Sequence, residues 1–253
     1  MNTKLVEPYM VNRCVVAWKA LCGKFEREPI TTKNSTKKSE YQNYELEFCS
    51  VFEKFRLTYN ERISDLLEEA ESFQLRREGN SFFATELDGS KQLAKICYCS
   101  VRLLKPSVVV ETGVSRGVTS AFILQALDVN RKGDLYSIEL PHLGRVLHND
   151  IGTYVPNNLR YRWKLILGSG IKEMQNLRKK IESINIFIHD SNHSYANQLA
   201  EYRLAWPWLN EGGLLISDDV QNSAFMEFCS EHSKDPLVIK QDKETGFIGI
   251  VAK

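Results

Sequence analysis

The stretch Val108–Gly117 most constrains what this chain can fold into. It reads Val-Val-Val-Glu-Thr-Gly-Val-Ser-Arg-Gly, and a helix-like run follows it from Val118 to Leu127. Three β-branched residues predict a buried strand, and the two glycines predict a tight turn that leads into a helix. Such a turn lets backbone N–H groups approach a ligand closely, as in sheets that hold nucleotide-like cofactors at the carboxyl ends of their strands.

From Val108 onward, strand-like and helix-like segments alternate. The predicted strands are Val108–Glu111, Asp134–Glu139, Lys164–Leu167, Ile184–His189 and Leu214–Ser217, and the predicted helices cover 117–128, 142–150, 170–182 and 194–209. This alternation predicts βαβ units and a parallel sheet with helices on both faces. Two last strands, Pro236–Lys240 and Gly246–Val251, are joined by a short polar turn, so they should pair antiparallel. The expected class is α/β, with a doubly wound, mostly parallel seven-stranded sheet that ends in an antiparallel hairpin.

The N-terminal third has a different pattern. Residues 1–30 and 43–76 carry apolar side chains at roughly helical spacing, and the polar run 31–40 separates them. Ser90 suits the N-cap of a further helix, which Pro106 would stop. We therefore expect a helical extension over residues 1–84 and a cofactor-binding domain over residues 85–253. The extension could act as a lid that selects the substrate or as the surface of a homo-oligomer.

The composition of the chain limits the kinds of partner that we expect for it. The chain has 33 Lys and Arg residues against 32 Asp and Glu residues, a net charge of +1 that does not favour nucleic acid as a partner. The sequence has no apolar run of about 18 residues, so it predicts no transmembrane helix. The six cysteines form no C-x-x-C pair, which favours free thiols and a cytoplasmic location. The expected partner is a small-molecule substrate.

The glycine turn and the end of the second strand together predict a cofactor site. Glu139 ends that strand, where an acid accepts hydrogen bonds from ribose hydroxyls in doubly wound sheets. The turn lacks the G-x-G-x-x-G spacing of a dinucleotide site. Glu111 would repel a pyrophosphate and attract a cationic or amino-bearing ligand. These features favour S-adenosylmethionine over NAD, although an NAD-dependent oxidoreductase would also explain the sheet and Glu139.

The ordered set of segments resembles the class I S-adenosylmethionine-dependent methyltransferases. Glu111–Gly117 resembles their motif I, Ser137–Glu139 their ribose-binding strand end, and Leu165–Ser169 their third strand with the residue that follows it. The family often has an acid at the position of Ser169. The resemblance implies that S-adenosylmethionine is bound by Glu111, Gly113, Ser115, Gly117, Thr119, Glu139, Gly168, Ser169 and Asp190.

Acidic residues follow the fourth and fifth predicted strands. Asp190 comes directly after His189, and the pair Asp218–Asp219 follows Leu214–Ser217. Neighbouring parallel strands bring their carboxyl ends to one rim, so the three carboxylates should converge and repel one another. A divalent cation such as Mg²⁺, Mn²⁺ or Ca²⁺ would relieve that repulsion. In the alternative interpretation, the Asp-Asp pair supplies a helix N-cap and a solvated neighbouring acid.

The aspartate segments and the run Ile151–Trp163 resemble a bacterial subgroup that includes metal-dependent sugar O-methyltransferases and cephalosporin-hydroxylase-like proteins. The resemblance implies Mg²⁺ at Asp190, Asp218 and Asp219. It also implies methyl transfer to a hydroxyl of a small molecule or sugar, for which we expect Asp190 or His193 as the base. A cofactor-binding member of the fold without catalysis is a further alternative. Iron-dependent oxygen chemistry is disfavoured, because no clear two-His-one-carboxylate set lies near these acids.

Overall fold

The computed structural model of the chain describes residues 63–73, 90–141, 151–241 and 246–253. Most of the predicted N-terminal extension, including the helix over 1–30 and the linker over 31–40, lies outside the described residues, as does the predicted helix over 142–150. Within the described ranges, none of the helices is both long and apolar enough to span a membrane.

A mixed seven-stranded sheet forms the centre of the described structure. Its strands are β1 (Val108–Thr112), β2 (Asp134–Glu139), β3 (Trp163–Leu167), β4 (Ile184–His189), β5 (Leu209–Ser217), β6 (Leu237–Lys240) and β7 (Phe247–Ala252). They are arranged in the order β3-β2-β1-β4-β5-β7-β6. Strands β1 to β5 are parallel, and β7 runs antiparallel between β5 and β6. The strand order reverses between β1 and β4, and a ligand crevice is expected at such a switch point. The predicted fold class is confirmed.

Helices cover both faces of the sheet. The described helices are α1 (Ile63–Ser72), α2 (Lys91–Leu104), α3 (Val118–Val129), α4 (Gly170–Arg178), α5 (Tyr195–Ala205) and α6 (Ala224–Glu231), and two 3₁₀ helices span Asn157–Arg162 and Trp206–Trp208. Helices α1, α2 and α3 contribute to one apolar cluster and α4, α5 and α6 to the other. As predicted, Ser90 caps α2, accepting a hydrogen bond from the Leu93 amide at 3.4 Å. The helix ends at the left-handed residue Lys105, directly before Pro106.

Strand β5 is longer than the sequence predicted, and the helix before it is shorter. The prediction placed a helix over 194–209 and a strand from Leu214, whereas α5 ends at Ala205 and β5 begins at Leu209. Pro207 lacks a backbone N–H and so cannot continue an α-helix, which leaves only a 3₁₀ turn after Ala205. The extra residues of β5 find partners because Leu209 pairs with Ile184 across a register shift. Helix α4 likewise stops at Arg178, before the predicted end at 182.

Candidate active site

The turn after β1 requires glycine at its first position. Gly113 has φ +85°, and a Cβ there would lie 1.9 Å from the backbone oxygen of Asp190. Its amide donates a hydrogen bond to the carbonyl oxygen of Ile138, at 2.9 Å. The turn therefore lies directly against the segment that leaves β4, at the switch point of the sheet.

A second turn, over residues 151–155, closes on the glycine turn. The amide of Gly152 donates to the carbonyl oxygen of Ser115 at 3.0 Å, and that of Tyr154 donates to Arg116 at 2.8 Å. Gly117 has φ +84°, and a Cβ at this position would lie 2.8 Å from the Cα of Gly152. The two turns pack too closely for a side chain at position 117, so the run from Ile151 supports the turn where the cofactor was predicted to bind.

Glu139 lies at the end of β2, where the sequence placed it, and it contacts the glycine turn. Its carboxylate oxygen Oε2 accepts hydrogen bonds from the amides of Val114 and Ser115, at 2.6 and 3.0 Å. Its backbone carbonyl accepts from the amide of Gly168, at 2.9 Å. The ends of β1, β2 and β3 are therefore tied together around one residue, through its carboxylate and its backbone carbonyl.

The remaining predicted cofactor residues surround this arrangement. Ser169 directly precedes α4 as its N-cap residue, and Thr119 is buried in the first turn of α3. Glu111 lies beneath the turn rather than on an open face, since only 1% of its surface is exposed. Its oxygen Oε1 accepts hydrogen bonds from the hydroxyls of Ser120 and Ser137. Burial raises the pKa of Glu111 to about 7, although the two hydrogen bonds act to lower it.

Two of the three predicted metal ligands converge, and a histidine joins them. Potential ligand atoms of Asp190, His193 and Asp218 all lie within 4.8 Å of one another. Asp218 is 7% exposed, and its Oδ1 accepts a hydrogen bond from Nε2 of Gln241 at 2.7 Å. Burial, with the negative charges of Asp190 and Asp219, raises the pKa of Asp218 to about 8. The repulsion between carboxylates that the sequence predicted is therefore present at this rim.

The third predicted ligand, Asp219, contacts the histidine instead. Its Oδ2 lies 2.8 Å from Nδ1 of His193, while Nε2 of that ring lies 3.6 Å from Oδ1 of Asp190. Burial lowers the pKa of His193, but the carboxylates of Asp190 and Asp219 outweigh it and raise the pKa to about 10. The alternative in which the Asp-Asp pair caps a helix is not what the structure shows, since the N-cap residue of α6 is Ser223.

The sequence did not single out Glu201, which forms a buried network beneath the rim. Its Oε2 accepts a hydrogen bond from the Thr112 hydroxyl at 2.5 Å and lies 2.8 Å from Nδ1 of His189. The hydroxyl of Ser191 also donates to Glu201, at 3.1 Å. The available signal in the sequence was that Glu201 directly precedes Tyr202, an apolar residue of the predicted helix that is buried in the core.

The rim offers two kinds of donor to a divalent cation. Asp190 and Asp218 supply carboxylate oxygens, the ligands that Mg²⁺, Mn²⁺ and Ca²⁺ prefer. Nε2 of His193 is buried and has no hydrogen-bond partner among the described residues. An unpartnered nitrogen beside two repelling carboxylates fits a site that receives a cation or a polar substrate group.

Comparison with known proteins places the chain among proteins of similar fold. The model of a family described as a methyltransferase domain matches residues 110–220, from β1 to just beyond Asp219. An O-methyltransferase from Bacillus cereus, solved in complex with SAH, is 15% identical, with a TM-score of 0.54 over 84% of this chain and 100% of that one. No curated protein matches the sequence.

Two further structures show the same similarity. The O-methyltransferase TomG from Streptomyces achromogenes, involved in tomaymycin synthesis and solved with SAM, is 14% identical, with a TM-score of 0.54 over 85% of this chain and 99% of that one. The SAH-bound methyltransferase PaMTH1 from Podospora anserina is 12% identical, with a TM-score of 0.50 over 89% and 98%. At these identities the structures establish a shared fold.

Proposed function

We propose that this chain transfers a methyl group from S-adenosylmethionine to a hydroxyl oxygen, because a family model described as a methyltransferase domain matches residues 110–220 and the fold is shared with O-methyltransferase structures, in agreement with the resemblance seen in the sequence. The acceptor is a small molecule or a sugar, and a divalent cation assists the reaction. One observation carries this proposal: Gly113 of the cofactor turn packs against Asp190 of the acidic rim. The places for the methyl donor and for the acceptor therefore adjoin.

The cofactor lies over the ends of β1, β2 and β3 in this proposal. The turn between Gly113 and Gly117 offers its backbone to the cofactor, and Glu139 offers the ribose the carboxylate oxygen that the turn amides do not use. Gly168 and Ser169 lie at the end of β3, on the adenine side. The structures from Bacillus cereus and Streptomyces achromogenes, which hold SAH and SAM, support this cofactor over NAD.

Asp190 and Asp218 would hold the cation, since their carboxylates are the two that converge. When bound, the cation would supply Lewis-acid activation of the acceptor hydroxyl. Two carboxylates suffice for such a site when water and substrate oxygens complete the coordination. The O-methyltransferase activity named for the two bacterial structures supports oxygen as the atom that receives the methyl group.

We assign proton acceptance to Nε2 of His193 rather than to Asp190. This nitrogen lies 3.6 Å from Oδ1 of Asp190, so it reaches a hydroxyl held there. Although burial lowers it, the pKa of His193 is raised to about 10 by the carboxylates of Asp190 and Asp219. Positive charge bound between Asp190 and Asp218 would oppose the imidazolium and leave Nε2 able to take a proton.

Two measurements test the proposal. Isothermal titration with S-adenosylhomocysteine and with NADH should show binding of the first alone. Transfer of radiolabelled methyl to a panel of catechols, phenols and sugars should then require Mg²⁺ or Mn²⁺ and stop with EDTA. In Asp218→Asn, transfer should fall by about a hundredfold or more, whereas Glu211→Gln, an exposed change early in β5, should behave as wild type. Transfer that survives both EDTA and Asp218→Asn would exclude the cation.

A further inference from the structure

Asp219 was predicted to be a cation ligand, but the group of converging ligand atoms in the structure contains Asp190, His193 and Asp218 instead. Asp219 follows Asp218 directly, yet the two carboxylates have different surroundings: Asp218 is 93% buried against Gln241, while the side chain of Asp219 is 35% exposed. The backbone at Asp219 has φ +49°, a left-handed conformation that turns the chain between the two aspartates. The amide of Val220 then donates to the carbonyl oxygen of Phe247, at 3.0 Å, which fixes the turn against β7.

Both carboxylate oxygens of Asp219 have partners away from the converging atoms of Asp190 and Asp218. Oδ2 lies 2.8 Å from Nδ1 of His193, and Oδ1 accepts a hydrogen bond from Nε2 of Gln221 at 3.0 Å. The backbone oxygen of Asp219 accepts from Nε2 of Gln198, at 3.1 Å, which anchors the residue to α5. The side chain is therefore held in place as an acceptor for the imidazole.

A carboxylate that accepts a hydrogen bond from Nδ1 determines whether Nε2 of the same imidazole can accept a proton. With Nδ1–H donating to Asp219, the lone pair of a neutral ring is on Nε2, and the ring plane is fixed. Nε2 is the buried nitrogen without a hydrogen-bond partner among the described residues, and it faces Asp190. In catalytic triads, a carboxylate orients a histidine through the same contact with Nδ1.

We infer that Asp219 is a positioning residue that orients His193 for proton transfer, and that it is not the third protein ligand of the cation. This inference rests on the proposed function and changes its ligand set. Of the three aspartates, only Asp190 and Asp218 would then hold the cation.

Asparagine is the matched replacement for Asp219. It has the same size and tolerates the left-handed backbone at this position, so it removes the charge without forcing the turn to change. Its single carbonyl oxygen can accept from Gln221 or from the imidazole but cannot replace both carboxylate oxygens, and it is a weaker acceptor than a carboxylate. Asp218→Asn is the matched change at the residue assigned to the cation.

Titration calorimetry with Mn²⁺ in the presence of S-adenosylhomocysteine separates the two roles. We expect Asp218→Asn to weaken Mn²⁺ binding by about tenfold or more, and Asp219→Asn to change it by less than about threefold. An equal loss in both variants would overturn the inference, since Asp219 would then be a ligand. No loss in Asp218→Asn would instead refute the cation site of the proposed function.

Imidazole resonances of the ¹⁵N-histidine-labelled protein test the contact itself. The His193 signals are identified by their loss in His193→Gln. In Asp219→Asn these signals should move, while those of His189 keep their positions and the affinity for S-adenosylhomocysteine is unchanged. His193 signals that stay in place in Asp219→Asn would overturn the inference, because the carboxylate would then not determine the state of the ring.

Discussion

Oε2 of Glu139 lies 2.6 Å from the backbone nitrogen of Val114, which donates a hydrogen bond to it. The amide of Ser115 donates to the same oxygen, at 3.0 Å. The acid that ends β2 therefore holds the turn that follows β1, in addition to the ribose contact proposed for it. Two amides on one carboxylate oxygen make charge-assisted bonds, which are stronger than bonds between neutral groups.

Glu139→Gln should weaken cofactor binding by loosening the turn. A neutral amide accepts these two bonds less strongly, and its NH₂ group would face the turn amides if it were flipped. We expect the affinity for S-adenosylhomocysteine, measured by titration calorimetry, to fall by about tenfold, or about 1.4 kcal/mol. Glu182→Gln, an exposed change before β4, is the control and should bind as wild type. Equal affinity in Glu139→Gln and wild type would show that the carboxylate is dispensable.

The sequence predicted the positions of those site residues whose place in the fold follows from local patterns. The positions of Glu139 and Asp190 follow from strand ends, and strand ends follow from β-branched runs such as Val108–Val110. The direction in which an acid points depends on long-range packing. Glu111 turns inward to Ser120 and Ser137, and Asp219 turns to His193 through a left-handed residue that no local pattern indicated.

The glycine at position 113 should be irreplaceable, for a steric reason that goes beyond its backbone angle. Gly113→Ala would place a Cβ 1.9 Å from the backbone oxygen of Asp190, whereas Gly212→Ala, at a similar φ of +75°, meets nothing within 4 Å. The strain of positive φ, about 1 kcal/mol, is common to both. We expect urea unfolding to show a loss of about 1 kcal/mol for Gly212→Ala and of more than about 3 kcal/mol for Gly113→Ala. Similar losses in the two variants would mean that the β4 segment can move away from the turn.

Glu111→Gln should flatten the pH dependence of stability. Glu111 has its pKa raised from the ordinary value of 4.5 to about 7, mainly by burial, so the folded state holds this proton more tightly than the unfolded state. The associated stability is fully present below pH 4.5 and is lost as the pH rises towards 7, by roughly 3 kcal/mol. Glutamine is neutral throughout, so the difference in unfolding free energy between variant and wild type should shift in favour of the variant between pH 5 and pH 8. The exposed change Glu182→Gln should run parallel to wild type, and a parallel curve for Glu111→Gln would contradict the assignment.

The buried pair of His189 and Glu201 should couple strongly in stability. The carboxylate of Glu201 lies 2.8 Å from Nδ1 of His189 and accepts from the hydroxyl of Thr112, and the side chains of His189 and Glu201 are 0% and 1% exposed. Removing one partner of such a pair leaves a buried polar group without its match, which costs about 3–5 kcal/mol. We expect Glu201→Gln and His189→Phe each to lose that much in urea unfolding. The double variant should lose clearly less than the sum, because the second change removes a group that the first has already left without its partner. Strictly additive losses would show that the two side chains stabilise the strand ends independently, through Thr112 and Tyr202 rather than through each other.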